Sequence, residues 1–170
     1  MARPVPLPAP MTARDLERAF ATCFARAPHF TELVGGGDEP FYRASRHPEY
    51  VPHRIVYRAD YASSALHEVS HWCIAGRRRR TLDDYGYWYV PDGRTEAQQR
   101  TFERVEAAPQ ALESIFADAA GIPFHLSADN LDGDAGSSER FARAVATQRR
   151  RFLNGALPPR AAIFISTLRR

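Results

Sequence analysis

His67 and His71, with Glu68 directly after the first histidine, make an HExxH pattern whose residue types and spacing point to metal chemistry. On a helix, residues four apart share a face with Cβ atoms about 5–6 Å from each other. Both imidazoles can then reach a single ion at metal–nitrogen distances of about 2.0–2.1 Å. The pattern is short enough to occur by chance, but its setting narrows the reading. Between Tyr61 and Gly76, Glu68 is the only charged residue. A helix so poor in charge is buried on most sides, and buried imidazoles need partners. At about 100° per residue, Ala62, Ala65, Leu66, Val69 and Cys73 fall on one stripe, with the two histidines nearly opposite. One face packs; the other can hold a transition metal.

Two histidines leave such a site at least one protein ligand short. The next helical stretch, TFERVEAAPQALES, carries three glutamates. Phe102, Val105, Leu112 and Phe116 mark its inner face if the helix continues through Pro109. Glu106 lies nearer that face than Glu103, and Glu113 also lies near it. Glu106 is the first candidate for the third ligand and Glu113 the alternative. An HExxH helix with a glutamate on a later helix resembles the ligand layout of gluzincin metallopeptidases. In a peptidase, Glu68 would be the general base that activates a metal-bound water. A structural zinc site is disfavoured, because such sites are closed by four ligands, often cysteines, and Cys73 lies on a different face from His71.

The elements that must position these residues are readable in outline. Thr12 and Asp15 make a capping-box-like start for a helix carrying Leu16, Phe20, Cys23 and Phe24. Gly35, Gly36 and Gly37 then read as a flexible loop. Phe41 to Ala44 and Arg54 to Arg58 read as strands, the second at an edge or half-buried position. The metal helix runs from about Tyr61 to Ala75, with Gly76 as its C′ residue. Asp83 to Arg94 reads as an extended strand closed by a Pro-Asp-Gly turn. Thr95 to Val105 is helical, and Pro109 kinks that helix or starts another that ends at Gly121. A long polar loop follows, then a helix from about Ser138 to Leu153 and a short one after Pro158 and Pro159. The expected fold is α+β, helix-dominated, a single domain with a small sheet and an HExxH metalloprotein-like core.

Composition sets the bounds. A chain of 170 residues, 44% hydrophobic and 25% charged, is one soluble globular domain able to bury a core unaided. Residues 1–11 hold four prolines and read as a disordered lead-in, leaving 12–170 as the domain. No stretch reaches the roughly 18 apolar residues of a membrane span, and the N-terminus has no apolar core of a secretory signal. Two cysteines far apart argue against a disulfide framework and for a reducing cytoplasm. The net charge of +3 comes with arginine alone, without lysine. Arg77 to Arg80 and Arg149 to Arg151 are runs that can attract acidic partners or form solvated faces. No recognised nucleic-acid motif accompanies them.

Several strings together carry more than the bare motif: DEPFYR, ALHEVSHWCIAG, DYGYWYVPDGR, FERVEAAPQALE and AGIPFHLSADNL, in that order. Together they resemble the elongation factor P hydroxylase family, from about Gly37 to the C-terminus. The resemblance implies hydroxylation of the β-lysyl-modified lysine of elongation factor P by a mononuclear non-haem iron, Fe(II), with dioxygen as co-substrate. It implies His67, His71 and Glu106 as metal ligands, the last in a VExxPQA motif. Glu68 is carried as the candidate catalytic residue, with its role open. The same ligands accept zinc or manganese.

The substrate is then a protein, with no direct nucleic acid and no membrane. Arg77 and Arg78, with Arg79 and Arg80, are candidates to steer an acidic partner. Tyr85, Tyr87, Trp88 and Tyr89 are candidates to wall a channel for a long cationic side chain. Asp129 and Asn130 are candidates to bind its ammonium. A zinc metallopeptidase remains the alternative.

Overall fold

The structure is a computed structural model that describes residues 9–87, 94–127 and 135–169. Helix α1 (Ala13–Phe24) opens on the expected capping box, in which the Thr12 hydroxyl accepts from the Asp15 amide and the Asp15 carboxylate accepts from Thr12. The domain is joined one residue earlier, where the Met11 amide donates to the Ala120 carbonyl at 3.0 Å. Strands β1 (Thr31–Gly37), β2 (Phe41–Arg43) and β3 (His53–Arg58) form one sheet in the order β1-β3-β2. β1 runs parallel to β3, and β2 runs antiparallel to it. The five helices of the described chain outweigh this small sheet, as the α+β reading expects.

Two expectations for the sheet are corrected. β3 is its central strand, not an edge, and its consecutive residues Ile55, Val56 and Tyr57 are all buried. Two-sided burial erases the alternation that an edge strand would show. Gly35 to Gly37 are not a free loop but the end of β1. A Cβ on Gly35 would sit 2.6 Å from the Tyr57 hydroxyl, so glycine serves close approach there rather than flexibility.

Helix α2 (Ala62–Ile74) lies between β3 and α3 (Glu96–Ala120) and carries the HExxH residues. Of the predicted stripe, Ala65, Leu66, Val69 and Cys73 are buried and Ala62 is half-buried, and Trp72 is buried with them. Trp72 packs against Phe20 and Phe24 of α1, with ring centroids 5.2 and 4.8 Å away. Each such fully buried side chain stabilises by about 1.5–3 kcal/mol, which anchors α2 from behind. Helices α4 (Ala135–Arg151) and α5 (Pro159–Leu168) pack on α3, and α5 also meets α1 and α2. Phe164 of α5 stands edge-on to Phe116 of α3 at 5.1 Å.

α3 continues unbroken through Pro109 and ends at Gly121, whose φ of 68° makes a left-handed cap. The helix neither stops nor restarts at the proline, because buried neighbours on both sides (Ala107, Gln110, Ala111) hold it in place. That continuity matters. Glu106 and Glu113 are seven residues apart, within about 20° of two full turns, so one straight face carries both.

Gly76 is not the left-handed cap of α2. Ala75 leaves the helix in extended backbone (φ −58°, ψ 123°), and side chains satisfy the last carbonyls instead. Arg160 Nη2 donates to the Trp72, Cys73 and Ala75 carbonyls at 2.9, 3.0 and 2.7 Å. Arg80 Nη1 donates to the Ala75 carbonyl at 2.6 Å. Two guanidinium groups at a helix C-terminus also suit its macrodipole.

The described start of the strand expected over Asp83 to Arg94 is instead a 3-10 turn, Asp83–Gly86, preceded by another at Arg79–Thr81. The carboxylates of Asp83 and Asp84 accept from the amides of Ala44 and Tyr42, so β2 is covered by side chains rather than paired with another strand. Residues 88–93, Trp88 and Tyr89 among them, lie outside the described residues, as do Asp129 and Asn130.

Candidate metal centre

His67 and His71 point their Nε2 atoms at one spot, 3.0 Å apart. Glu106 reaches the same spot from α3, with Oε2 3.5 Å from His67 Nε2 and Oε1 3.4 Å from His71 Nε2. Among the described residues, these three form the group whose ligating atoms converge, all within 4.8 Å of one another. The spacing can be checked against coordination geometry. Donor atoms about 2.1 Å from a common ion stand roughly 3.0 Å apart at a right angle and roughly 3.4 Å apart at a tetrahedral one. The 3.0 and 3.4 Å separations fall in that range and the 3.5 Å one just above it, the last two to different oxygens of Glu106. The trio could close on one transition ion.

Glu113 does something different from Glu106. Its Oε2 lies 2.8 Å from His67 Nδ1, on the other nitrogen of the ring. An Nδ1–H donated to this carboxylate leaves the Nε2 lone pair facing the site, which is the tautomer a metal needs. Glu106 and Glu113 differ by the atom each one meets. Glu106 converges with the two Nε2 atoms, and Glu113 holds one of the rings. Glu103 turns elsewhere and pairs with Arg140 of α4 at 3.2 Å.

Electrostatics at the centre follow from burial and charge together. Burial alone would lower the His67 pKa. The hydrogen bond to Glu113 and the charges of Glu68, Glu106 and Glu113 reverse this and raise it to about 9. Burial would raise the Glu106 carboxyl, but the charge and hydrogen bond of His71, then the charges of His67 and Arg94, hold it below its ordinary value. Glu68 is pushed up by burial, against the pull of His67 and His71 and with the push of Glu106 and Asp84. Three carboxylates around two imidazoles make a negative, half-buried cup suited to a divalent cation.

The profile of a family described as elongation factor P hydroxylase matches residues 19–170. The chain is also 48% identical over 148 residues to a protein of Haemophilus influenzae named elongation factor P lysine hydroxylase, covering 86% of this chain and 82% of that one. The chain belongs to the elongation factor P hydroxylase family. As a member, it is a hydroxylase, and the converging trio is a group that could hold a metal ion.

The other predicted residues are distributed unevenly around this hydroxylase centre. Arg77 and Arg78 are exposed just beyond α2. Arg79 and Arg80 are engaged within the chain. Arg79 Nη1 donates to the Tyr85 carbonyl at 3.0 Å and its guanidinium lies 4.2 Å over the Tyr87 ring, while Arg80 caps α2. Tyr87 is half-buried, with Arg79 on one ring face. Tyr85 is no channel wall: it is 5% exposed and stacked on Tyr42 at 4.4 Å. Cys73 is buried and unpaired in the core, where burial pushes its thiol up to about 12.

Sequence reasoning missed Arg160 as the cap of the metal helix and Glu113 as the partner of His67. The seven-residue interval from Glu106 to Glu113 was the available signal for the second. Nothing local signals the first, since Arg160 lies more than 80 residues from the carbonyls it holds.

Proposed function

We propose that this chain hydroxylates the β-lysyl-modified lysine of translation elongation factor P, with Fe(II) held by His67, His71 and Glu106 and dioxygen as co-substrate. The observation that carries the reading is the coincidence of family and site. A chain 48% identical to an elongation factor P lysine hydroxylase also brings two imidazoles and a carboxylate to one spot. Two histidines and one carboxylate on one face leave open positions for dioxygen and substrate and are the ligand set of non-haem Fe(II) oxygenases. When bound, such an ion activates dioxygen to oxidise an unactivated side-chain carbon.

The protein's own part is orientation. Glu113 fixes the tautomer and direction of His67. Arg160 and Arg80 fix the end of α2 one turn beyond His71. Glu106 keeps its negative charge at neutral pH because His71 and His67 hold its pKa down. The exposed pair Arg77 and Arg78 would speed encounter with an acidic protein surface. Tyr87, Trp88, Asp129 and Asn130 are proposed to receive the modified side chain, with 12–170 as one catalytic domain working in the cytoplasm. Among the described residues, no helix is long and apolar enough to cross a membrane.

The test is anaerobic reconstitution with Fe(II), incubation with modified elongation factor P in air, and mass spectrometry of the product. The incubation includes an external two-electron reductant, which takes the second oxygen atom of dioxygen to water. A gain of one oxygen atom with every peptide bond intact is expected. Peptide cleavage by the zinc form that vanishes in Glu68→Gln, with no oxygen gained, would overturn the hydroxylase in favour of a peptidase.

A further inference from the structure

The stretch from Ile122 to Ser127 has neither helix nor strand, yet it is nearly taut. It leaves the end of α3 at Gly121 and returns to the level of Gln110, eleven residues back on the same helix. At 1.5 Å per residue that is about 16 Å of helix axis. Six fully extended residues span about 20–22 Å, so the stretch must run close to straight and antiparallel to α3. Ile122 and Phe124 pack on the core along the way.

Gln110 holds the far end by two bonds. Its Nε2 donates to the Ser127 carbonyl at 2.6 Å, and its Oε1 accepts from the Ser127 amide at 3.0 Å. The side-chain amide thereby meets both backbone groups of one residue, as a directly opposed residue does in an antiparallel pair. Closing α3 does not call for this tie. The Gly121 amide already donates to the Asp118 carbonyl and the Ile122 amide to the Ala117 carbonyl. Gln110 is buried, where an amide is costly unless both of its ends are bonded. An apolar side chain would fill the same space without that demand, but it could not fix the register of a passing backbone.

The place of the tie is what gives it a use. Gln110 is four residues after Glu106 and three before Glu113, so its Cβ lies about 5–6 Å from each of theirs. Glu106 converges with His67 and His71, and Glu113 holds the His67 ring. The Ser127 backbone is therefore fixed beside the metal centre, not at the distant end of the helix. The centre is open there to some degree, since the His67 side chain keeps 28% exposure. His125, Leu126 and Ser127 are exposed next to it.

We propose that Gln110 is a positioning residue for the substrate: by binding Ser127 it holds residues 122–127 as a fixed wall beside the metal centre, against which the modified segment of the protein substrate lies. The proposal rests on the substrate named under the proposed function. His125 and Ser127 are the polar side chains this wall offers.

Gln110→Met tests it, because methionine keeps the length of the side chain and removes both bonds. Amide hydrogen exchange over 122–127 should quicken, while a full equivalent of Co(II) still binds with parent-like visible bands. The Kd of the Co(II) form for modified elongation factor P should rise about tenfold, because the wall must then be ordered at each binding event. KM of the Fe(II) form should rise with it and kcat stay unchanged, the pattern of lost uniform binding. Ser127→Pro removes the same amide from the exposed side, leaves α3 untouched, and should weaken binding in the same direction. Parent-like Kd and KM in both variants, or unchanged exchange in Gln110→Met, would overturn the role of Gln110. So would shifted Co(II) bands with an unchanged Kd, which would place its effect on the ligands instead. A parent that neither binds nor hydroxylates modified elongation factor P would overturn the substrate and the wall's role with it, while the exchange rates still report the tie itself.

Discussion

Glu113 Oε2 and His67 Nδ1 are 2.8 Å apart, on the side of the ring away from the three converging donor atoms. The contact joins the two helices of the site through an atom pair that no ion would occupy. It also separates two glutamates that share one face of α3. Glu113→Ala should keep the fold and the ligands but lower metal affinity by roughly 10–100-fold, the usual effect of losing a carboxylate behind a ligating histidine. Competition against a chromophoric chelator measures this. Complete loss of metal would make Glu113 a ligand itself; unchanged affinity would make the contact incidental.

The ligands proper should behave differently. His67→Ala, His71→Ala and Glu106→Gln should each abolish stoichiometric metal, because two remaining donors hold a transition ion poorly against buffer. Glu103→Gln should retain a full equivalent. Its cost falls on stability, at about 1 kcal/mol, since Glu103 pairs with the half-exposed Arg140. Elemental analysis beside thermal unfolding separates the two classes. Metal retained in Glu106→Gln and lost in Glu103→Gln would reverse the assignment.

The arginine run divides in the middle. Replacing Arg77 and Arg78 with serine should raise KM for the protein substrate and flatten its salt dependence, with metal and Tm unchanged, because exposed charges act through encounter and are screened over about 8–10 Å. Arg160→Ala should do the opposite. It removes a donor shared by three carbonyls at the end of α2 and should destabilise the domain by roughly 1.5–3 kcal/mol. Steady-state kinetics across ionic strength and denaturant unfolding give the two readouts. Salt sensitivity that survives the loss of Arg77 and Arg78 would exclude them as the steering patch.

How far the sequence reveals this centre depends on the range of the interaction. The helix face of His67 and His71 is a local property, and spacing alone predicts it. Glu106 needs one further assumption, that α3 passes through Pro109. A proline inside a helix lacks a donor and crowds the previous turn, so local rules favour a break there, yet burial on both sides overrides them. Tyr85 and Asp84 defeat local reading altogether. Their string suits an extended strand, and only the stack on Tyr42 and the bonds to β2 hold them in left-handed backbone. The cap on α2 is the extreme case, with Gly76 in the expected place and Arg160 doing the capping from the far end of the chain.

Stripped of metal, the domain should respond to pH through His67. His67 is raised from an ordinary value of 6.5 to about 9, chiefly because the Glu113 hydrogen bond and the neighbouring carboxylates outweigh burial. A group whose folded-state pKa is raised binds its proton more tightly when folded, so its contribution to stability is complete below about 6.5 and is lost as pH rises through about 9. The stability of the metal-free domain should therefore decline across that window. Loading reverses the dependence at the site. A ligating imidazole must be neutral, so the ion displaces the proton and apparent affinity climbs with pH until the folded pKa is passed. Thermal unfolding of chelator-treated and metal-loaded protein at pH 6.5, 8 and 9.5 should show the two forms diverging, with the loaded form gaining relative to the stripped one. His67→Ala should abolish the decline in the stripped protein. A decline of the same size in that variant would assign the titration to another group.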